Sequence, residues 1–287
     1  MSLASQIQSL TIAGKPVALF EHHHFALIPW AQWGLGLATL RLVTIDHHCD
    51  THEAFLRRVF INHEIDRQLQ ASLCDSIIPA LPSTVEAAVT ALRHDEHIDA
   101  AIRSGILDAA FVIARQDQRS IRSLEHVAHA ALESQLVAVQ FAKFWQTNPR
   151  PLPPMTYRMP ADRMVAVHPV GFMRAGELIN PWPDLTLESE HLHDRIDIFN
   201  QILRDEGAPE LQEAPYILDI DLDAFNTARS MCPEDPDLFY ELIRGALGIT
   251  VAIEADCFAN EWEDEEVWTA DDARLVILDH IQRALIA

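Results

Sequence analysis

The residues best suited to chemistry are Asp46, His48 and Asp50, in the string Asp46-His47-His48-Cys49-Asp50, and Asp221 and Asp223, in the string LDIDLD. In an extended segment, positions i, i+2 and i+4 share one face. Asp46, His48 and Asp50 therefore point the same way, and so do Asp221 and Asp223. Carboxylates and imidazoles are the ligands of Mn²⁺, Fe²⁺ and Zn²⁺, and an oxygen-rich set favours Mn²⁺. One ion does not need this many anions. Two ions do: four Asp carry about −4, which matches two divalent cations, and such a pair sits about 3.5–4 Å apart and activates water near neutral pH. Two further candidates are a histidine of the string Glu21-His22-His23-His24 and the acid Glu254.

Each candidate follows a short apolar run. Pro16–Glu21 (PVALFE), Leu40–Ile45 (LRLVTI), Tyr216–Ile220 (YILDI) and Thr250–Ile253 (TVAI) read as buried strands whose ends meet these acids and histidines. Ala109–Ile113 and Met164–Val167 read as two more strands. Between them, helical spacing predicts helices at His52–Leu69, Ser83–Arg93, Ile98–Ile106, Leu124–Phe144, Leu187–Glu206, Pro236–Ala246 and Ala270–Leu285. Leu27–Gly36 reads as helix or loop. Strands alternating with amphipathic helices predict an α/β fold, three-layer α/β/α with a mostly parallel central sheet. The chain reads as a single domain, 1–287, with a Pro-rich crossover at 148–160. In such sheets ligands bind beyond the carboxyl ends of the strands.

The ordered motifs resemble the arginase/deacetylase superfamily. They look closest to a branch with an ExHH signature near the N-terminus, a (D/H)xHxD after it and a late LDIDLD, a branch that includes peptide arginases. The resemblance implies that one metal takes His23, Asp46, Asp50 and Asp221, and a second takes Asp46, His48, Asp221 and Asp223. Asp46 and Asp221 would bridge them. His22 or His24 could replace His23, and the late pair could be Asp219 with Asp221. Glu254 matches the position of a guanidinium-binding glutamate. The implied activity is hydrolysis of a guanidino C–N bond to amine and urea, on arginine, free or in a peptide, with Asp46, His48, Asp221 and Glu254 as catalytic residues. His47 stands where the superfamily has a small residue, which would narrow the site mouth. His52, His63, His94 and His97 are candidates for a proton shuttle, and Glu21 for orienting the histidine string. Alternatives are a metal-dependent deacylase or amidohydrolase, and a non-catalytic metal-binding module. TIDHH also resembles the signature of DHH-type phosphoesterases, but that family carries a DxD motif upstream, and here no aspartate precedes Asp46.

Composition narrows the partners. The 287 residues hold 43 Asp+Glu against 21 Lys+Arg, a formal charge of −22. Phosphate-backbone binding needs a basic footprint, so nucleic acid is an unfavoured partner, as is an anionic membrane surface. A small molecule or peptide with a cationic group suits this field, and a homo-oligomer is compatible with it. The four cysteines show no CxxC spacing, no apolar run reaches about 18 residues, and the N-terminus lacks a signal-peptide pattern. Together these predict a cytoplasmic protein. The acids after Glu254 read as a solvated face.

Overall fold

The structure is a computed structural model and describes residues 3–114, 158–167, 172–174, 177–179 and 184–286. Its main sheet has seven strands: β1 (Gln8–Ile12), β2 (Lys15–Phe20), β3 (Arg41–Asp46), β4 (Ala109–Ala114), β5 (Met164–Val167), β6 (Tyr216–Asp221) and β7 (Gly248–Ala252). Their order is β1-β2-β7-β6-β3-β4-β5. All neighbours are parallel except the hairpin β1–β2. That hairpin turns on Ala13-Gly14, at φ 47° and 89°, a two-residue loop whose left-handed backbone matches strand twist. Sequence patterning does not single out β1, because QSLTI is an edge strand whose apolar face is only two residues, Leu10 and Ile12, half-buried against the first core.

Every residue of β3, β4, β6 and β7 is buried, as expected for parallel strands covered on both sides. Period-two alternation splits their side chains between two cores. Val43, Ile45, Leu218, Ile220, Ile249 and Val251 pack with α5 (Ser189–Asp205), α6 (Asp237–Gly245) and α8 (Ala270–Ile286). Ala18, Phe20, Leu42, Ala110 and Val112 pack with α1 (Leu27–Trp33), α3 (Pro82–Ala91) and α4 (His97–Arg103). Helices therefore cover both faces of a mostly parallel sheet.

The expected helix at His52–Leu69 is not there. Leu56–Val59 makes one turn, Phe60–Ile61 pairs antiparallel with Glu64–Ile65, and α2 (Arg67–Asp75) begins after Asp66. Phe55, Asn62 and His63 have φ of 59°, 52° and 67°, which no right-handed helix tolerates. Asp66 then caps α2 by accepting from the Leu69 N–H at 2.9 Å. A short helix α7 (Ala255–Glu261) follows Glu254, and Asp256, Glu263, Glu265, Glu266, Asp271 and Asp272 are exposed, as expected of a solvated face. The expected helix Leu124–Phe144, and the crossover up to residue 157, lie outside the described residues. Among the described residues no helix is long and apolar enough to cross a membrane.

Candidate metal centre

The centre is built on one row of the sheet. Register places Thr44 beside Asp219 and Asp219 beside Thr250, across β3, β6 and β7. Alternation turns this row toward the α1/α3/α4 layer. Asp219, fully buried, accepts from Thr44 Oγ1 at 2.8 Å and Thr250 Oγ1 at 2.5 Å. Trp30 Nε1 donates to Thr250 Oγ1 at 3.1 Å. Above the row, the chain leaves β2 and drops His23 into the interior through the turn His23–Ala26. His23 Nε2 lies 2.7 Å from Asp219 Oδ2, a bond between residues 196 positions apart. In the neutral ring, with that nitrogen carrying the proton, Nδ1 offers its lone pair to a cation; without one, a second proton on Nδ1 faces Asp221 and Asp50.

Two residues further along each strand come the other carboxylates. His23 Nδ1 is 2.9 Å from Asp221 Oδ2, 3.0 Å from Asp50 Oδ2 and 3.6 Å from Asp46 Oδ2. A second group adjoins the first: His48 Nδ1 lies 3.3 Å from Asp223 Oδ2, and ligand atoms of Asp46, His48 and Asp223 all fall within 4.8 Å of one another. Asp46 belongs to this group and to the group with His23 and Asp221. The structure thus brings together His23, Asp46, His48, Asp50, Asp221 and Asp223. His22 and His24 face a neighbouring cavity instead, and Asp219 sits one step deeper than Asp221, facing His23 Nε2.

Backbone geometry holds the loops in costly conformations. Asp50 and Glu254 both have left-handed φ, 45° and 36°. Each such residue costs about 1–3 kcal/mol and persists only where its surroundings impose it. Beyond Asp50, the Ala54 N–H donates to Asp99 Oδ2 at 2.7 Å and Gln70 Nε2 donates to the Ala54 carbonyl at 2.9 Å, which fixes the loop. At Glu254, Oε1 accepts from the His23 N–H at 3.0 Å, and Glu21 Oε1 accepts from the Ala255 N–H at 3.0 Å. Glu21 thus anchors the turn that carries Glu254.

The protein alone leaves this cluster short of positive charge. Burial, then repulsion from Asp50, Asp221 and Asp223, pushes the Asp46 carboxyl well above its ordinary range. Burial and Asp223 do the same to Asp221. Burial also raises Asp50, with His23 opposing it. For His23, burial works downward, but Asp219 and Asp221 outweigh it and its pKa stands well above 6.5. His23 Nδ1 and Asp46 Oδ2 are buried without a hydrogen-bond partner. Ligands at ~2.1 Å from an ion stand ~3.0–3.4 Å from each other in octahedral or tetrahedral geometry. The observed 2.9–3.6 Å separations fit those edges. The cluster can hold a metal ion.

No family model, curated protein or solved structure matches this chain. Its chemistry is therefore read from the centre itself.

Other histidines fall differently from expectation. His47 does not narrow an open mouth: it is buried, its N–H donates to Asp223 Oδ1 at 3.3 Å, and its Nε2 lies 3.3 Å from Glu261 Oε2 on α7. His52 pairs with Asp95 at 3.1 Å, and His63 sits at the tip of the small hairpin. His97 is fully buried, its ring 4.5 Å from that of His23 and its Nδ1 donating to the His94 carbonyl at 2.8 Å. Burial and the nearby His23 and His24 depress its pKa, so it stays neutral. That environment suits a wall behind His23 rather than an exposed proton carrier. Sequence reading overlooked Thr44 and Thr250. Their signal was a hydroxyl residue inside each of two otherwise apolar strands.

A carboxylate behind a ligating imidazole fixes its tautomer, and losing it costs about 10–100-fold in metal affinity. Asp219→Asn is accordingly expected to weaken the first bound ion by that factor. Competition with a chelating dye measures it, and unchanged affinity would remove Asp219 from this role.

Proposed function

We propose that the chain is a metal-dependent hydrolase of a guanidino C–N bond, releasing urea from an arginine side chain, free or in a peptide. One observation carries the reading. Glu254 belongs at once to a group with Asp223 and Cys257, whose ligand atoms lie within 4.8 Å, and to the lining of a cavity of about 460 Å³. It joins the centre to the space a substrate would fill.

His23, Asp46, Asp50 and Asp221 would hold one divalent ion, and Asp46, His48, Asp221 and Asp223 a second. The carboxylate excess favours Mn²⁺, with Fe²⁺ or Zn²⁺ as substitutes. The ions would supply Lewis acidity and water activation near neutral pH. The protein's own part is positional. Glu254 is oriented by the His23 N–H. Its carboxylate can pair with a planar guanidinium and hold the reacting carbon against the centre. The surplus of acids draws a cation toward the cavity.

A second reading, a deacylase, is favoured by His48. Its side chain is 35 % exposed and its pKa is raised; burial opposes that rise, but the hydrogen bond and charge of Asp223 prevail. If only the ion of His23, Asp46, Asp50 and Asp221 is bound, His48 would be free to donate to an acyl oxygen. Glu254→Gln separates the readings. A guanidine hydrolase is expected to lose about 10–100-fold in kcat/KM, the worth of a charge-assisted pair. A deacylase would keep its rate on acylated amines. The assay is urea release from arginine and arginine-containing peptides after metal loading, beside amine release from acylated amines. An unchanged guanidine rate in the variant would sink the role of Glu254.

A further inference from the structure

The cavity beside the centre is not uniformly acidic. Glu254, Glu21 and Asp256 line it together with Arg93, His94 and His24. Arg93 and His94 come from the loop between α3 and α4. That loop is clamped at its base: the Arg93 N–H donates to Glu96 Oε2 at 3.2 Å, and the Glu96 N–H to the Arg93 carbonyl at 3.3 Å. The Arg93 side chain forms no ion pair among the described residues, although the chain has 43 acids to 21 Lys+Arg. A cavity shaped for a bare cation gains nothing from a guanidinium on its wall, because like charges repel. A cavity for a molecule with opposite charges at its two ends needs one wall of each sign.

We propose that this cavity takes a dipolar substrate, with Arg93 and His94 holding its carboxylate while Glu254 faces its cation. The inference rests on the guanidine reading of Glu254 and adds the anionic end. Arginine is suited to the task, since its planar fork matches a carboxylate. The volume, about 460 Å³, suits an amino acid or a short peptide end. The carboxylate can belong to a free amino acid or C-terminal residue, or to an acidic side chain next to an internal arginine.

The test uses the full chain loaded with Mn²⁺ and reads binding by calorimetry. Guanidinobutyrate is expected to bind about tenfold or more tightly than butylguanidine, the worth of a charged hydrogen bond. Arg93→Ala is expected to collapse that preference toward unity. Equal binding of the two compounds to the native protein, or a preference that survives in Arg93→Ala, overturns the proposal. Acetate alone, followed through the imidazole resonances of His94 in protein loaded with diamagnetic Zn²⁺, tests the wall without any guanidine. If neither guanidine binds yet acetate shifts His94 and Arg93→Ala removes the shift, the guanidine reading fails and the carboxylate wall stands. If acetate leaves His94 unmoved as well, the wall is refuted. Three peptides identify the source: one ending in arginine as the free acid, the same peptide as its amide, and an amide with aspartate before the arginine. Tighter binding of the first assigns a terminal carboxylate, and tighter binding of the third an acidic side chain. No advantage for either over the second overturns the proposal.

Discussion

Asp221→Ala protein is expected to carry almost no bound metal and to release no urea. Asp221 stands 2.9 Å from His23 Nδ1, shares a ligand group with Asp46, and accepts from the Asp223 N–H at 3.3 Å. It therefore contacts each half of the centre, and its loss would remove a ligand that both proposed ions share. Loss of a group on which nucleophile generation depends costs on the order of 10³-fold or more in rate. The fold should survive. The carboxylate removed is one whose charge its neighbours oppose, and β6 keeps its pairing with β3 and β7. Elemental analysis of native and variant protein, with circular dichroism to check folding, reads the outcome. Full retention of metal by a folded variant would refute the centre.

The second large effect concerns pH and stability without metal. Asp46 and Asp221 titrate higher in the folded chain than in the unfolded one. The stability this contributes is complete below the unfolded carboxylate value of ~4 and is lost as pH rises through the folded values. His23, also raised, contributes stability below ~6.5 that is lost as pH rises through its folded pKa. His24, depressed to about 4 chiefly by burial, and His97, depressed by burial, work the other way. Their contributions are present above ~6.5 and are lost as pH falls. Above pH ~6.5, then, the raised groups set the trend. The Tm of chelator-treated protein should fall as pH rises above about 6.5. Added Mn²⁺ should raise Tm most at the alkaline end, since a ligand at about 100 times its Kd adds about 2.7 kcal/mol. Thermal melts with and without metal decide the matter. A metal-free Tm that rises with pH in this window would contradict the arrangement of charges.

Much of this was legible in the sequence, for a definite reason. Strands such as RLVTID and YILDID are short, apolar and end on ionisable residues, so the apolar period marks the strand and its interruption marks the edge where ligands gather. The same period-two logic explains Asp219. It lies on the same face as Asp221 but one step inside the sheet, where two threonine hydroxyls and an imidazole meet it. What stayed hidden depends on distant chain. Nothing near His47 announces Glu261 as its neighbour, and nothing near His22 announces that Arg93 shares its cavity. The stretch from His52 to Leu69 misled because its apolar residues recur at helical spacing, while left-handed backbone at Phe55, Asn62 and His63 breaks the helix. The overlooked β1 is an edge strand whose apolar face, Leu10 and Ile12, is too short to stand out as an alternating run.

The span of 196 residues between His23 and Asp219 bears on when a metal can act during folding. Closing so long a loop is entropically costly, and contacts of this kind form late. A cation finds its full set of donors only after β2, β7, β6 and β3 have assembled in that order. Bound metal should then leave the folding rate nearly untouched and slow unfolding instead, because it strengthens contacts absent from the transition state. The ion would be less a template for the fold than a latch on its reverse path.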